Sequence, residues 1–219
     1  MTAEKAYRKF IVKINKNAQT NNISCDKGRF VLIYNESQNK EVEHILEKRD
    51  SDDIRYVQKL LVKSAKLENP KKFDNYEHFK FKDNYFDHST LSGTASSDCC
   101  KAQSMDMYEK KSENENFYIT DDHDKPHFGF REAPYYISED GIVAFKDNFT
   151  YDSLQHTYYR YPLQISLENP DNPESNFSET NIELDDKITD RILSRAAAEF
   201  EMNNANPKFQ VDLQRTIQK

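Results

Sequence analysis

Apolar residues recur at helical spacing at both ends of the chain and at alternating spacing in its middle. Tyr7, Phe10, Ile11, Ile14 and Ala18 follow Thr2, a good N-cap, and Glu4 in the first turn; this predicts a helix that Thr20-Asn21-Asn22 ends. Asp26 then caps a second helix striped by Phe30, Val31, Tyr34, Val42, Ile45 and Leu46, with Glu36, Lys40, Glu43 and Glu47 on its polar face. Arg49-Asp50-Ser51 breaks the pattern. Ile54, Val57, Leu60 and Leu61 predict a third helix, closed before Asn69-Pro70 because a residue preceding proline is pushed out of helical geometry. Residues 1–72 thus read as three helices on short turns, hence as antiparallel neighbours.

From residue 73 the period changes. His78-Phe79-Lys80-Phe81-Lys82 alternates rings and charges, as a strand does. Residues 87–116 are polar with few apolar anchors and read as a long loop. Phe117–Thr120 and Phe128–Phe130 read as short strands. Tyr135–Ser138 and Ile142–Phe145 flank Glu139-Asp140-Gly141, a hairpin signal. Thr157–Tyr161 and Leu163–Leu167 form a strand interrupted by Pro162, which confines it to an edge or bulge. Residues 73–167 therefore predict an antiparallel, β-rich insertion. Residues 168–185 form an acidic connector with Pro170 and Pro173. Asp185 caps a helix over 186–202 with Ile188, Ile192, Leu193, Ala196 and Phe200 on one face, and 203–207 stop it. A tail helix follows, with Phe209, Leu213 and Ile217 at i, i+4 and i+8. The fold class expected is α+β, mainly helical: the N-terminal three-helix unit and the segment 186–219 form a bundle, with the β-rich insertion between them.

Composition makes the core modest. Only 36% of residues are hydrophobic and 32% are charged; 14 Phe and 13 Tyr carry much of the apolar area, and Trp is absent. Tyrosine tolerates an interface with one wet edge, so part of this burial is expected against partners. The net charge of −7 is uneven: residues 1–72 hold 16 Lys/Arg against 10 Asp/Glu, whereas 73–219 hold 15 against 28. The acidic majority argues against general DNA binding, which needs a concentrated basic patch.

Candidate chemistry is sparse. Cys25, Cys99 and Cys100 are odd in number, so no disulfide framework follows and a reducing compartment fits. The start MTAEKAYRKF lacks a signal-peptide core, and no apolar run nears the ~20 residues that span a membrane. A soluble protein made in a cytoplasm is expected. Asp121-Asp122-His123-Asp124-Lys125-Pro126-His127 gathers metal-type ligands, and Cys99-Cys100 adds thiols. Adjacent cysteines converge poorly on one tetrahedral ion, and His123 and His127 straddle Pro126, so a polar turn is the better reading. Four scattered glycines build neither GxGxxG nor a P-loop. Cys25 precedes a helix start, where a dipole lowers a thiol pKa, but no partner base is identifiable. No catalytic residue, metal ligand or cofactor is assigned, and a non-enzyme is expected.

Three elements carry a resemblance. Residues 21–62, containing Asn35-Glu36-Ser37-Gln38, resemble helical phage neck proteins. Tyr158-Tyr159-Arg160-Tyr161-Pro162 is similar to a strand element of tail adaptor proteins, and Ile188–Ala196 looks like their last helix. In this order they resemble head-to-tail connector or neck-ring (adaptor) proteins of short-tailed phages of the crAss-like group. The resemblance implies a virion structural protein, assembled in the host bacterial cytoplasm as a dodecameric ring in the neck. It implies a helical core with a β insertion, portal and neighbouring ring or tail proteins as partners, and no membrane. It also implies a channel for genome packaging, retention and ejection, through which DNA passes without specific binding. Phe209, Leu213 and Ile217 would then dock a partner, or else fold back on their own core. Two alternatives are a nucleic-acid-binding accessory protein, on the basic N-terminal third and the aromatic strands, and a small metal-dependent enzyme built on His123 and His127.

Overall fold

The computed structural model describes residues 1–16, 23–48, 52–98, 100–111, 125–167 and 181–204. Its contacts divide the chain into two units: Met1–Lys59 with Pro162–Lys219, and Leu60–Tyr161.

In the first unit, helix α1 spans Ala3–Lys16 and starts where Thr2 Oγ1 accepts the Lys5 amide at 3.3 Å. Helix α2 spans Lys27–Glu47, and its Asp26 cap accepts the Arg29 amide at 2.8 Å. Helix α3 spans Asp186–Asn204, and the Asp185 carboxylate accepts the Lys187 amide at 2.9 Å. Each cap satisfies an amide that lacks a partner within its own helix. The apolar stripes meet: Phe10 lies 5.1 Å from Phe30 and 5.7 Å from Phe200 between ring centres, and Ile14, Ile45, Ile188 and Ile192 are buried around them. Helices from both ends of the sequence therefore share one core. Residues 161–167 form no regular element. Their backbone is held by α2 amides: Asn35 donates to Ile165 O at 3.3 Å and accepts the Ile165 amide at 3.0 Å, and Gln38 donates to Leu163 O at 3.1 Å.

The expected third helix is absent. Asp52–Tyr56 and Gln58–Leu60 are short 3-10 turns, and strand β1 (Leu61–Leu67) begins at once. The sequence Leu-Val-Lys-Ser-Ala-Lys-Leu pairs with a distant strand across a bulge, where Ser64 takes a positive φ of 51°. The segment read as a loop is also ordered. Strands β4 (Tyr85–Ser97) and β5 (Cys100–Glu109) occupy most of 87–116, and residues 112–116 lie outside the described residues. The remaining strands are β2 (Lys71–Lys72), β3 (Tyr76–Lys80), β6 (Glu132–Ile137), β7 (Gly141–Phe145) and β8 (Thr150–Arg160). They make one eight-stranded sheet in the order β1-β8-β4-β5-β6-β7-β3-β2. The mainly helical expectation is thus overturned: among the described residues three helices accompany eight strands, and the protein is a sheet-dominated α+β fold. The reason is physical. A strand half-buried by small residues pairs through its backbone, and hydropathy does not register that pairing.

The sheet is also mixed rather than wholly antiparallel. The first part of β5 pairs antiparallel with β4, whereas Asp106–Glu109 pair parallel with Glu132–Tyr135 of β6. The sheet curls until Leu67 of β1 and Phe79 of β3, near opposite ends of the strand order, share a core with Leu91, Ala95, Met105, Ala133, Ile142 and Leu154. The hairpin around Glu139-Asp140-Gly141 joins β6 to β7. A Cβ on Gly141 would come within 2.1 Å of Phe79 O, which is why this position takes glycine. Phe128–Arg131 form a turn instead of a strand, with Arg131 at φ 63°. Of the expected acidic connector, 168–180 lie outside the described residues; farther on, Ile182 and Leu184 are buried rather than exposed.

Candidate functional site

Helix α1 presents different faces to core and surface. Ala3, Ala6, Phe10 and Ile14 are buried, and the 3.6-residue period places Lys5, Lys9 and Lys13 in the adjoining row, with Arg8 and Val12 beside it. Across from this row, α3 contributes Asp190, Arg191, Ser194 and Arg195, and α2 contributes Glu41 and His44. Together they line an open cleft of about 830 Å³. Lys9 Nζ reaches Asp190 at 2.9 Å, and Lys13 Nζ donates to Ser194 Oγ at 2.9 Å. The Glu41 carboxylate is buried against two guanidiniums, at 2.6 Å from Arg191 and 3.8 Å from Arg195. Arg191 also pairs with Asp53, whose bonded guanidinium holds that carboxyl below the usual carboxylate range. Both carboxylates lining the cleft, Glu41 and Asp190, are therefore already neutralised by ion pairs.

A second polar constellation lies in the sheet unit. His88 Nδ1 of β4 is 3.0 Å from His156 Nε2 of β8, and His88 Nε2 is 2.8 Å from the Tyr135 hydroxyl of β6. The residues are 7%, 2% and 4% exposed. One assignment satisfies both contacts with both rings neutral: Tyr135 donates to His88 Nε2, and His88 Nδ1 donates to His156 Nε2. Tyr158, Tyr85 and Phe81 surround the His156 ring at 5.0, 5.7 and 5.9 Å between centres. Burial, and then the neighbouring His88, push the His156 pKa down to about 4. Burial pushes the Tyr135 pKa up to about 12. The network is held in its neutral form, as a core polar chain is.

Several residues singled out from sequence lie elsewhere. Phe209, Leu213 and Ile217 are outside the described residues, as are Cys99, Asp121, Asp122, His123 and Asp124. His127 closes a turn, its Nδ1 accepting the Phe130 amide at 3.2 Å. No group of three or more His, Cys, Asp or Glu suited to a metal occurs among the described residues. Cys25 is buried, and burial raises its thiol pKa, the opposite of an activated nucleophile. The Asn35–Gln38 element carries a local structural task. Asn35 and Gln38 hold the 163–165 backbone, and Ser37 donates to Glu199 at 3.3 Å. The histidine pair had no sequence signal, because its members stand 68 residues apart.

No protein-family model and no curated protein matches this chain. No helix among the described residues is long and apolar enough to cross a membrane.

Proposed function

We propose that this chain is a self-assembling structural subunit, a neck or connector ring protein between the portal and the tail of a short-tailed phage. The observation that carries the reading is the division of the chain. Both ends of the sequence build one helical unit, and a sheet unit is inserted between Lys59 and Pro162. A helical core with a β insertion is the architecture expected of such a ring protein. Large side chains left open on the helical unit support assembly: Leu32 is 68% exposed, Leu163 63% and Met202 68%. A ring subunit works through lateral surfaces, and these residues are positioned to be covered by neighbours.

Native mass spectrometry and negative-stain microscopy of the full chain, alone and co-expressed with the portal protein of the same genome, test the reading. A closed ring, alone or on the portal, is expected. A chain that stays monomeric in both settings and is missing from purified particles would sink it.

A further inference from the structure

We propose that the cationic cleft between α1 and α3 binds the phosphate backbone of duplex DNA without reading its bases. The cleft presents six cations, Lys5, Arg8, Lys9, Lys13, Arg191 and Arg195, against two carboxylates. Both carboxylates are occupied by ion pairs. Among the lining residues cations exceed carboxylates by four, and with Asp53 on Arg191 and Glu4 on Arg8 counted at the margin the local excess is still two, in a chain whose net charge is −7. Lys5 and Arg8 are exposed, and Arg8 shares only a 3.5 Å contact with Glu4, which Lys27 holds at 3.0 Å.

The arrangement selects the ligand class. Lys5, Lys9 and Lys13 stand at i, i+4 and i+8, a row whose members are roughly 5–6 Å apart at Cβ. Lysine ammoniums on flexible stems suit a repeating polyanion, since each acts as a point charge and demands no bidentate geometry. Among the described residues lining the cleft the one aromatic ring is the His44 imidazole, so no Phe, Tyr or Trp offers a broad stacking platform for bases there. Its walls are helices, whose backbone amides are spent internally, so an extended acidic peptide finds no edge to pair with. Val12, in the middle of the row, is the one aliphatic side chain lining the cleft and gives little purchase to an acidic amphipathic helix. The binding is weak and salt-sensitive: non-specific contacts of this kind have Kd of roughly 10⁻⁴–10⁻⁶ M. Weak contact of this sort is compatible with DNA that moves past the protein. The inference rests on the cleft alone, so a failure of ring assembly leaves it standing and its own failure leaves the ring reading standing.

Fluorescence anisotropy of two labelled duplexes of different sequence, titrated with the full chain between about 50 and 200 mM salt, tests it. Both duplexes should bind equally, with a log–log salt slope of about −3 to −4 for three to four neutralised phosphates. Lys5→Gln/Arg8→Gln should weaken binding by roughly five- to tenfold and flatten the slope by about 2. Lys101→Gln/Lys111→Gln removes the same charge from the sheet unit and should change little. Circular dichroism checks that both variants are folded. Absence of binding at the lowest salt, or equal losses in both variants, would overturn the proposal. So would a cleft variant that keeps its DNA affinity and instead loses self-association, which would assign the face to an acidic surface of a second copy.

Discussion

The two units bury themselves by different means. The helical core is built from large rings and branched chains at three- and four-residue spacing: Phe10, Phe30, Tyr34, Phe200, Ile14 and Ile192 are all under 2% exposed. Its one buried acid among the described residues, Glu41, is clamped by two arginines from the facing helix. The sheet core also holds large side chains, Phe79, Ile142 and Leu154 among them, but adds small residues where strands crowd and a buried histidine chain. Ala95, Ala133 and Ala144 are fully buried, Gly93 lets Leu154 approach, and His88 and His156 occupy the interior. A helix satisfies its backbone alone, so its core needs only side-chain volume. A curled sheet satisfies its backbone through neighbours, so small side chains suffice where strands crowd.

That contrast can be broken from either side. The largest effect is expected for Gly141→Val: the new Cβ meets the Phe79 carbonyl, which is backbone and cannot rotate away. A loss of more than about 4 kcal/mol is expected, read as vanished amide protection in β3 and β7 by hydrogen exchange. In the helical unit, Phe10→Ala should cost about 3–5 kcal/mol in urea unfolding followed at 222 nm, because rings from α2 and α3 lose their shared neighbour. Arg191→Met leaves the Glu41 carboxylate buried with only the more distant Arg195. About 2 kcal/mol is expected, below the range for a fully buried pair because Arg191 is 38% exposed.

The smallest effect sharpens the comparison through pH. His156 has a folded pKa of about 4 against 6.5 for the free ring, so the unfolded chain binds more protons between those values. Its contribution is whole above about pH 6.5 and is lost as pH falls towards 4, on the order of 2 kcal/mol of it between pH 7 and about 4.5. Protection of β4 and β8 amides should fall over this window, and His156→Phe should flatten the dependence. Unchanged protection between pH 7 and 4.5 would remove the histidine pair as its cause.

The helical ends were legible because their signals are local. Thr2, Asp26 and Asp185 each cap the helix expected of them, and the rings at helical spacing are those that meet. The error at 52–67 has an equally local origin. Ile54, Val57, Leu60 and Leu61 match a helical period by chance of spacing, while Leu61 onwards pairs with β8, which begins 83 residues after β1 ends. Strand β4 was hidden for a different reason. Its inward positions Leu91, Gly93 and Ala95 alternate with Ser92 and Thr94, and the contrast in hydropathy is slight. Parallel pairing of β5 with β6 needs no tight turn, so no dipeptide announces it. The cationic row of α1 was visible as charge; its convergence with Arg191 and Arg195 depended on α3 lying beside it.

The first and last strands of the sheet unit are paired with each other, Leu61 opposite Tyr159. The chain thus enters and leaves this unit through adjacent strand ends. A short glycine-serine linker from Lys59 to Pro162 can replace one hundred and two intervening residues without stretching across a distance greater than a strand pair requires. The sheet is removable cargo in topological terms: deletion, transplantation into another host loop, or exchange for a different β module all cut the chain at the same two neighbouring points.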